Sequence, residues 1–439
     1  MEKILLLGAG MMAKPLVCYF VQRKKYVIVA DINRTRAEAL IQDEDCGRFE
    51  QLDVNDTVKL RNLIRESSIT ISLLPWKLHW LAGKECLAFN KNFVTASYVG
   101  MEMKQASSKI EEKGLLFLNE IGLDPGLDHI MILHTIDHIR RKGGKIEELH
   151  TYGTSLPSFR DNNNPFHYKF SWSPKGFLLG GLRDAYYLED GEEKKVSGEE
   201  IFQSYWLKNI PGLGDFEVFP NGNAREYIEL YQIPEVKTIK RNTLRHIDSC
   251  ELWDYFKRLG LYDDVRYYDF QTVTFEQIIR KRIRATEEDS IWESMANYLE
   301  IAQNSIFLKK LKWLGLLDKE HIPVGKATIM EAFSYVLQKK LQYQKGEKDL
   351  VILEQEFIVN YHGKREKITN SLIREGVVPE ESATSFLVAI PLAIAADLIL
   401  KQKINGTGVK IPNEKAIYRP LLAEFGKNGI KMNQEIINL

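Results

Sequence analysis

The chain has 439 residues, of which 44% are hydrophobic and 27% charged, with 60 Lys plus Arg against 60 Asp plus Glu. This composition excludes a disordered chain, and a formal net charge of zero argues against a nucleic-acid partner or an anionic membrane surface, both of which need a basic surplus. Length alone points to two or three domains.

Cys18, Cys46, Cys86 and Cys250 stand far apart with no CxxC pairing. That argues against a zinc ribbon or a dense disulfide frame and fits a reducing cytoplasm. The N-terminus has a short apolar run without the basic region and cleavage site of a secretory signal. No run of about 18 apolar residues is expected, because the nearest, 386–400, is interrupted by Pro391 and Asp397.

Taken in chain order, the first 120 residues alternate between short apolar runs and amphipathic segments. Residues 3–7 read as a strand, 11–24 as a helix, 26–30 as a strand, and 35–42 and 57–66 as helices. Strands at 69–74, 93–96 and 115–118 then enclose helices at 78–89 and 101–113. This rhythm predicts an α/β fold, a Rossmann domain with a doubly wound parallel sheet whose strands are covered on both faces. After the turn at Asp124-Pro125-Gly126, residues 127–142 read as one helix closed by Gly143-Gly144. Beyond about residue 145 the pattern mixes strand-like and loop-like pieces, such as 148–152, 166–172 and 351–361, with helices at 251–259, 274–281, 290–301 and 305–314. That predicts a larger α+β domain. The apolar segment 383–401 reads as a buried helix. The expected division is 1–123 for the Rossmann domain, 124–385 for the substrate domain, and 386–439 for helices returning to the first domain.

Gly8-Ala9-Gly10-Met11-Met12-Ala13 matches G-x-G-x-x-G/A between a strand and a helix, the context in which it cradles a pyrophosphate. Gly8 allows the tight turn, Gly10 the close approach of backbone, and Ala13 the close helix packing. Met11 and Met12 bring their N–H groups to the helix N-terminus. Asp31, at the end of the second strand, is placed for the ribose hydroxyls. Its charge opposes a 2′-phosphate, so NAD is preferred over NADP, although Arg34 and Arg36 stand nearby. Asp53, after the third strand, suits an adenine contact, and Leu74 ends the fourth strand near the switch point of the sheet. Asp31, Asp53, Arg34 and Arg36 each also fit ordinary roles as caps or solvated helix faces.

Further along, Asn119-Glu120-Ile121-Gly122-Leu123-Asp124-Pro125-Gly126-Leu127-Asp128-His129 follows the last Rossmann strand. Together with Thr95-Ala96-Ser97-Tyr98-Val99, the segment from Asn164 to Ser173, Leu230-Tyr231-Gln232-Ile233-Pro234-Glu235 and Arg241-Asn242-Thr243-Leu244-Arg245, it resembles saccharopine dehydrogenase of the L-glutamate-forming type. Ala389-Ile390-Pro391-Leu392 and Gly406-Thr407-Gly408 fit as well, so the resemblance spans nearly the whole chain. It implies reversible oxidation of saccharopine by NAD(P) and water to L-glutamate and 2-aminoadipate 6-semialdehyde, in lysine metabolism through aminoadipate. It also implies that Ser97, Tyr98, Asp124, Thr243, Leu244 and Arg245 contact substrate, and that Ala96, Ser97, Leu123 and Asp124 lie at the cofactor.

Two departures stand out. Where the family has Pro-Asn-Arg, this chain reads Pro220-Asn221-Gly222, and Arg225 follows three residues later as the candidate carboxylate ligand. A cysteine found in some members before the Leu-Pro at Leu156-Pro157 is absent.

The residues suit a tricarboxylic secondary amine, since arginines bind carboxylates bidentately. Arg245 and Arg225 are the first candidates, with Lys169 and Arg241 behind them. Asp124 is placed to hold the substrate amine and Tyr98 to exchange a hydrogen bond. Neither is an evident general base, and Asp124-Pro125 also reads as a helix-capping turn. His134 and His138 form an i, i+4 pair, but nothing supplies the further ligand a metal needs. Two other readings stay open: a relative acting on another carboxylated secondary amine, such as a carboxynorspermidine-like compound, suggested by Gly222, and a non-catalytic NAD-binding regulatory protein. A homodimer is compatible with the apolar C-terminal region and the many aromatics.

Overall fold

The computed structural model describes residues 2–41, 45–318, 321–379 and 381–439. It consists of two compact units, one formed by Met1–Lys145 with Val359–Leu439 and the other by Ile146–Ile358.

The first unit contains a wholly parallel sheet. Its strands are β1 (Lys3–Leu7), β2 (Tyr26–Asp31), β3 (Gly47–Gln51), β4 (Ile69–Ser72), β5 (Asn92–Thr95) and β6 (Leu116–Leu118), joined by strand Gly408–Lys410 from the C-terminal region. The order is Gly408–Lys410, β6, β5, β4, β1, β2, β3. β1 thus sits between β2 and β4, in register Leu5 with Ile28 and Leu5 with Thr70. Connections run outward in opposite directions from β1 and β4, so the loops after these strands flank the switch point where such sheets bind ligands. β1, β2 and β4 are almost wholly buried, which explains their near-continuous apolar sequence.

Helices α1 (Ala13–Val21), α2 (Arg34–Glu38), α3 (Thr57–Glu66), α4 (His79–Ala88) and α5 (Met101–Glu112) cover the sheet, and α6 (Leu127–Arg141) follows β6. The second of these is shorter than the 35–42 expected, and the end of that segment lies outside the described residues. Local capping fixes the starts: Asn33 accepts from the Arg36 amide for α2, and Asp56 from Lys59 for α3.

The helix Ala383–Leu400 packs against α1. Contrary to the sequence expectation, it is long and apolar enough by length and composition to cross a bilayer, because Pro391 and Asp397 do not interrupt it. It is nonetheless 83% buried within the protein, as the core helix of this unit. In the same unit, strand Lys364–Val377 pairs antiparallel with Asn433–Asn438.

The compact units divide at Lys145 and Val359, whereas the sequence reading divided the chain at 123 and 385. The difference lies with α6 and the strand before residue 385. Asp137 of α6 bonds Tyr418, and Thr135 accepts from Asn370, so both segments are tied into the first unit.

The second unit carries a mixed sheet. β7 (Lys145–Pro157), β8 (Ala185–Glu189), β9 (Glu192–Val196), β10 (Trp206–Ile210), β11 (Gly214–Pro220) and β12 (Thr238–Arg245) form most of it, with β10 and β11 antiparallel, β11 and β12 antiparallel, and β12 parallel to β7. Helices Ser249–Arg258, Phe275–Ile283, Ile291–Leu299 and Ile306–Leu314 pack an aromatic core around Trp253, Phe256 and Phe333. Residues 166–172 form no strand. Instead, Phe166, Tyr168 and Phe170 turn their rings into this core against Trp253 and Phe177.

Candidate active site

The loop after β1 takes the shape a dinucleotide requires. Gly8 has φ +103°, and a Cβ there would stand 3.1 Å from the Leu73 carbonyl oxygen of the loop after β4. Only glycine suits both the conformation and the approach. A Cβ at Gly10 would meet no atom within 4 Å, so the backbone is open on the side from which a phosphate would come. Ala13 is fully buried, and its amide donates to the Gly10 carbonyl at 3.0 Å. Met11 is exposed, and its carbonyl accepts from Ser385 Oγ at 3.0 Å. Met12 occupies the N-cap position of α1.

Asp31 is bonded to this loop. Its Oδ2 accepts the Ala9 amide at 2.7 Å and its Oδ1 the Asn33 amide at 2.7 Å. Arg34 is paired with Glu38 at 2.7 Å, while Arg36 is exposed. Asp53 is exposed at the end of β3, where its side chain accepts from the Asn55 amide at 2.9 Å. Leu74 is half-buried beyond β4. These residues fit a nicotinamide dinucleotide: an open glycine turn ahead of a helix, with a carboxylate at the ribose position.

The segments after β5 and β6 run side by side. The Glu120 amide donates to the Ser97 carbonyl at 3.1 Å, and the Ile121 amide to Thr95 at 3.3 Å. A Cβ on Gly122 would touch Ala96 Cβ at 3.0 Å. Ser97 and Tyr98 therefore share one edge of the sheet with the segment that carries Leu123 and Asp124. Tyr98 and Asp124 are exposed, and Leu123 is buried. The turn itself is held by its own backbone: Gly122 donates to Pro125 at 3.0 Å and Leu127 to Gly122 at 2.9 Å. Gly126 has φ +141°, with no room for a side chain.

Two histidines support this edge. His129, at the start of α6, is buried and stands 3.6 Å from Glu120. Burial would lower its pKa, but the Asp128, Glu120 and Asp124 carboxylates outweigh that and raise it. His79 is buried at the N-terminus of α4. Its Nδ1 lies 2.8 Å from Ser72 Oγ and its Nε2 2.8 Å from Ser97 Oγ. Burial pushes its pKa down to about 4, so the ring is neutral at pH 7. Nothing in the composition or motifs of the sequence singles out His79. Its position, opening the helix after the strand at the switch point, was the available signal.

In the second unit, β12 presents Thr243, Leu244 and Arg245. Thr243 Oγ1 accepts from Asn221 Nδ2 at 3.0 Å. The Leu244 side chain is fully buried in the aromatic core, and its backbone carbonyl accepts from Arg245 Nη1 at 2.8 Å. Arg245 is 8% exposed. Its guanidinium lies 4.9 Å from the Phe177 ring centre and 5.4 Å from that of Tyr168, and Nη1 donates to Thr154 Oγ1 at 3.1 Å. Burial lowers its pKa, yet a guanidinium stays protonated. Among the described residues no carboxylate pairs with it, and its Nε has no partner.

The other cationic candidates are engaged. Arg225 forms an ion pair with Glu193 and lies over the Tyr186 ring, and Lys169 pairs with Glu347 at 2.5 Å. Arg241 Nη1 stands 3.5 Å from where a Cβ on Gly222 would be. Among the described residues no cluster of three or more His, Cys, Asp or Glu is arranged to hold a metal ion.

Comparison with known proteins covers both units. Residues 4–118 match the family described as the saccharopine dehydrogenase NADP binding domain, and residues 122–430 match the saccharopine dehydrogenase C-terminal domain. The chain is 32% identical to saccharopine dehydrogenase [NADP(+), L-glutamate-forming] of Schizosaccharomyces pombe, with all of both chains covered. It is 30% identical to the Saccharomyces cerevisiae protein of the same name, over 99% of each. The structure of apo histidine-tagged saccharopine dehydrogenase (L-Glu forming) from Saccharomyces cerevisiae superposes with a TM-score of 0.89 at 28% identity, covering all of both chains. With family matches across both units and relatives aligned end to end, the chain belongs to the L-glutamate-forming saccharopine dehydrogenase family.

Proposed function

We propose that the protein catalyses the reversible oxidation of saccharopine. Saccharopine, the oxidised nicotinamide cofactor and water give L-glutamate, 2-aminoadipate 6-semialdehyde, the reduced cofactor and a proton. The observation that carries this reading is Arg245: a buried guanidinium without a carboxylate partner among the described residues is an arrangement that waits for an anion, and saccharopine brings three carboxylates. An unpaired buried charge is costly, and a bound carboxylate removes that cost.

Gly8, Gly10 and the start of α1 would hold the pyrophosphate, and Asp31 the ribose. When bound, the dinucleotide supplies the hydride acceptor. The exposed Asp124 carboxylate holds the substrate nitrogen, while Ser97 and Tyr98 orient the same end of the molecule. Loss of hydride from the carbon beside that nitrogen leaves an imine. Water adds to it, and the C–N bond breaks to release the aldehyde and the amino group of glutamate. Positioning accounts for much of the rate in such a transfer, which agrees with a site without an evident general base.

Cofactor choice is the finer part of the proposal. The matched domain and the named relatives carry NADP in their descriptions. In this chain Asp31 puts a negative charge at the ribose end, and Arg34 is engaged by Glu38, so NAD is the preferred cofactor. The four cysteines are all free thiols, in keeping with a cytoplasmic setting. The test is the absorbance of reduced cofactor formed by purified protein from saccharopine with NAD and, separately, with NADP. Turnover faster with NAD supports the whole reading, turnover faster with NADP removes the preference, and no turnover with either removes the function.

A further inference from the structure

We propose that His79 is a positioning residue for the reaction: it fixes the tautomer of its own ring so that Nε2–H donates to Ser97 Oγ, and thereby turns the Ser97 hydroxyl proton outward as a donor to a substrate carboxylate. The hydrogen bonds of Thr95 favour this direction. Thr95 Oγ1 donates its only proton to the Ser72 carbonyl at 3.0 Å and accepts the Ser97 amide at 3.3 Å. It also lies 3.4 Å from His79 Nε2. With its proton already committed, Thr95 can only accept from that nitrogen, which favours the tautomer with the hydrogen on Nε2. Nδ1 is then the bare nitrogen, and Ser72 Oγ–H donates to it across 2.8 Å. Nε2–H points mainly at Ser97 Oγ, 2.8 Å away, and occupies a lone pair of that oxygen. The remaining Ser97 O–H is the only proton in the chain Ser72–His79–Ser97 not used within it.

The arrangement is rigid. Ser72 and Thr95 are buried at 0% and 1% exposure, and the Phe93 ring stands edge-on to the imidazole at 6.4 Å between centres. Ser97 itself is only half-buried. A neutral ring fixed between two hydroxyls adds no charge of its own to the site, so the substrate anion meets an oriented dipole.

This inference rests on the reading that Ser97 meets saccharopine, and the experiment separates the two. The tautomer is read first, without substrate, from the ¹⁵N shifts of His79 in labelled protein at pH 7, assigned by comparison with His79→Gln. A protonated Nε2 with a bare Nδ1 is expected, and the reverse overturns the inference whatever the enzyme turns over.

Steady-state kinetics follow on Ser97→Ala, His79→Asn, His79→Gln and the double variant His79→Asn with Ser97→Ala. Removing the oriented donor raises KM for saccharopine about tenfold or more in Ser97→Ala and His79→Asn. The double variant is no worse than the poorer single one, because both remove the same interaction. His79→Gln, whose amide N–H reaches the place of Nε2, stays within about threefold of the parent. Multiplicative losses in the double variant, or equal losses in His79→Gln and His79→Asn, would reduce His79 to a packing residue. Absence of turnover in the parent would remove the saccharopine reading while the tautomer measurement still stands.

Discussion

Asp31 and Ala9 are joined by a 2.7 Å hydrogen bond from the Ala9 amide to the carboxylate. The end of β2 is thereby tied to the glycine turn after β1, and a negative charge is fixed where the ribose of a dinucleotide would lie. The charge opposes a 2′-phosphate and accepts from a 2′-hydroxyl. Asp31→Ser keeps a small hydrogen-bonding group and removes the charge. It is expected to shift the ratio of kcat/KM for NAD over NADP toward NADP by about tenfold to a hundredfold, near the scale of one to two charge-assisted hydrogen bonds. Initial rates with both cofactors check it, and an unchanged ratio would show that Asp31 does not set the preference.

Much of the first unit was legible because its signals are local. The turn Gly8-Ala9-Gly10 and the apolar strands both act within a few residues. What was not legible depends on distant partners. His79 gains its meaning from Ser72, Thr95 and Ser97, which meet it only once β4 and β5 are adjacent. Arg225 looked as free as Arg245 in the sequence, yet Glu193 engages the first, while Tyr168, Phe177 and Thr154 surround the second. The aromatic run 166–172 has the composition of a strand, but its rings serve a core assembled from helices far along the chain.

Arg245 supplies the second prediction. Thr154 Oγ1 is its only side-chain hydrogen-bond acceptor among the described residues, so Thr154→Val, similar in volume, frees the guanidinium to swing. The expected effect is a rise in KM for saccharopine of about threefold to tenfold with little change in KM for the cofactor. Arg245→Lys keeps the charge but loses the planar fork and costs about ten to a hundredfold in the same parameter. If both substitutions altered cofactor binding instead, the anion held by Arg245 would not be the substrate.

Gly126 carries the third. A Cβ there would stand 2.3 Å from the Gly122 amide nitrogen and 2.4 Å from its carbonyl oxygen, at φ +141°. No flexible side chain is available to yield, because both atoms are backbone. Gly126→Ala is expected to lower stability by at least about 3 kcal/mol, from the combined cost of strain and overpacking, and to displace Asp124. Urea unfolding of the purified variant measures it. By contrast, Gly10→Ala meets nothing within 4 Å and should leave stability within about 0.5 kcal/mol while weakening dinucleotide binding.

Asp137 supplies a pH dependence. Partial burial would raise its pKa, but the Tyr418 hydroxyl, Lys415 and Arg419 hold the carboxyl at about 2, against an ordinary 3.8. A group depressed in the folded state contributes stability that is present above its unfolded pKa and is lost as pH falls through the folded one. The loss should therefore begin near pH 5 and run to completion only below pH 2. Asp137→Asn, which cannot ionise, should be less stable than the parent at pH 7 by about 1–3 kcal/mol, the scale of a charged hydrogen bond left unmade. That gap should narrow steadily below pH 4, and thermal melts of both proteins from pH 7 to pH 2.5 follow it. A gap that stayed constant with pH would mean that the tie between α6 and the helix Lys415–Phe425 does not depend on the carboxylate charge. The contribution of this contact would then come from packing alone.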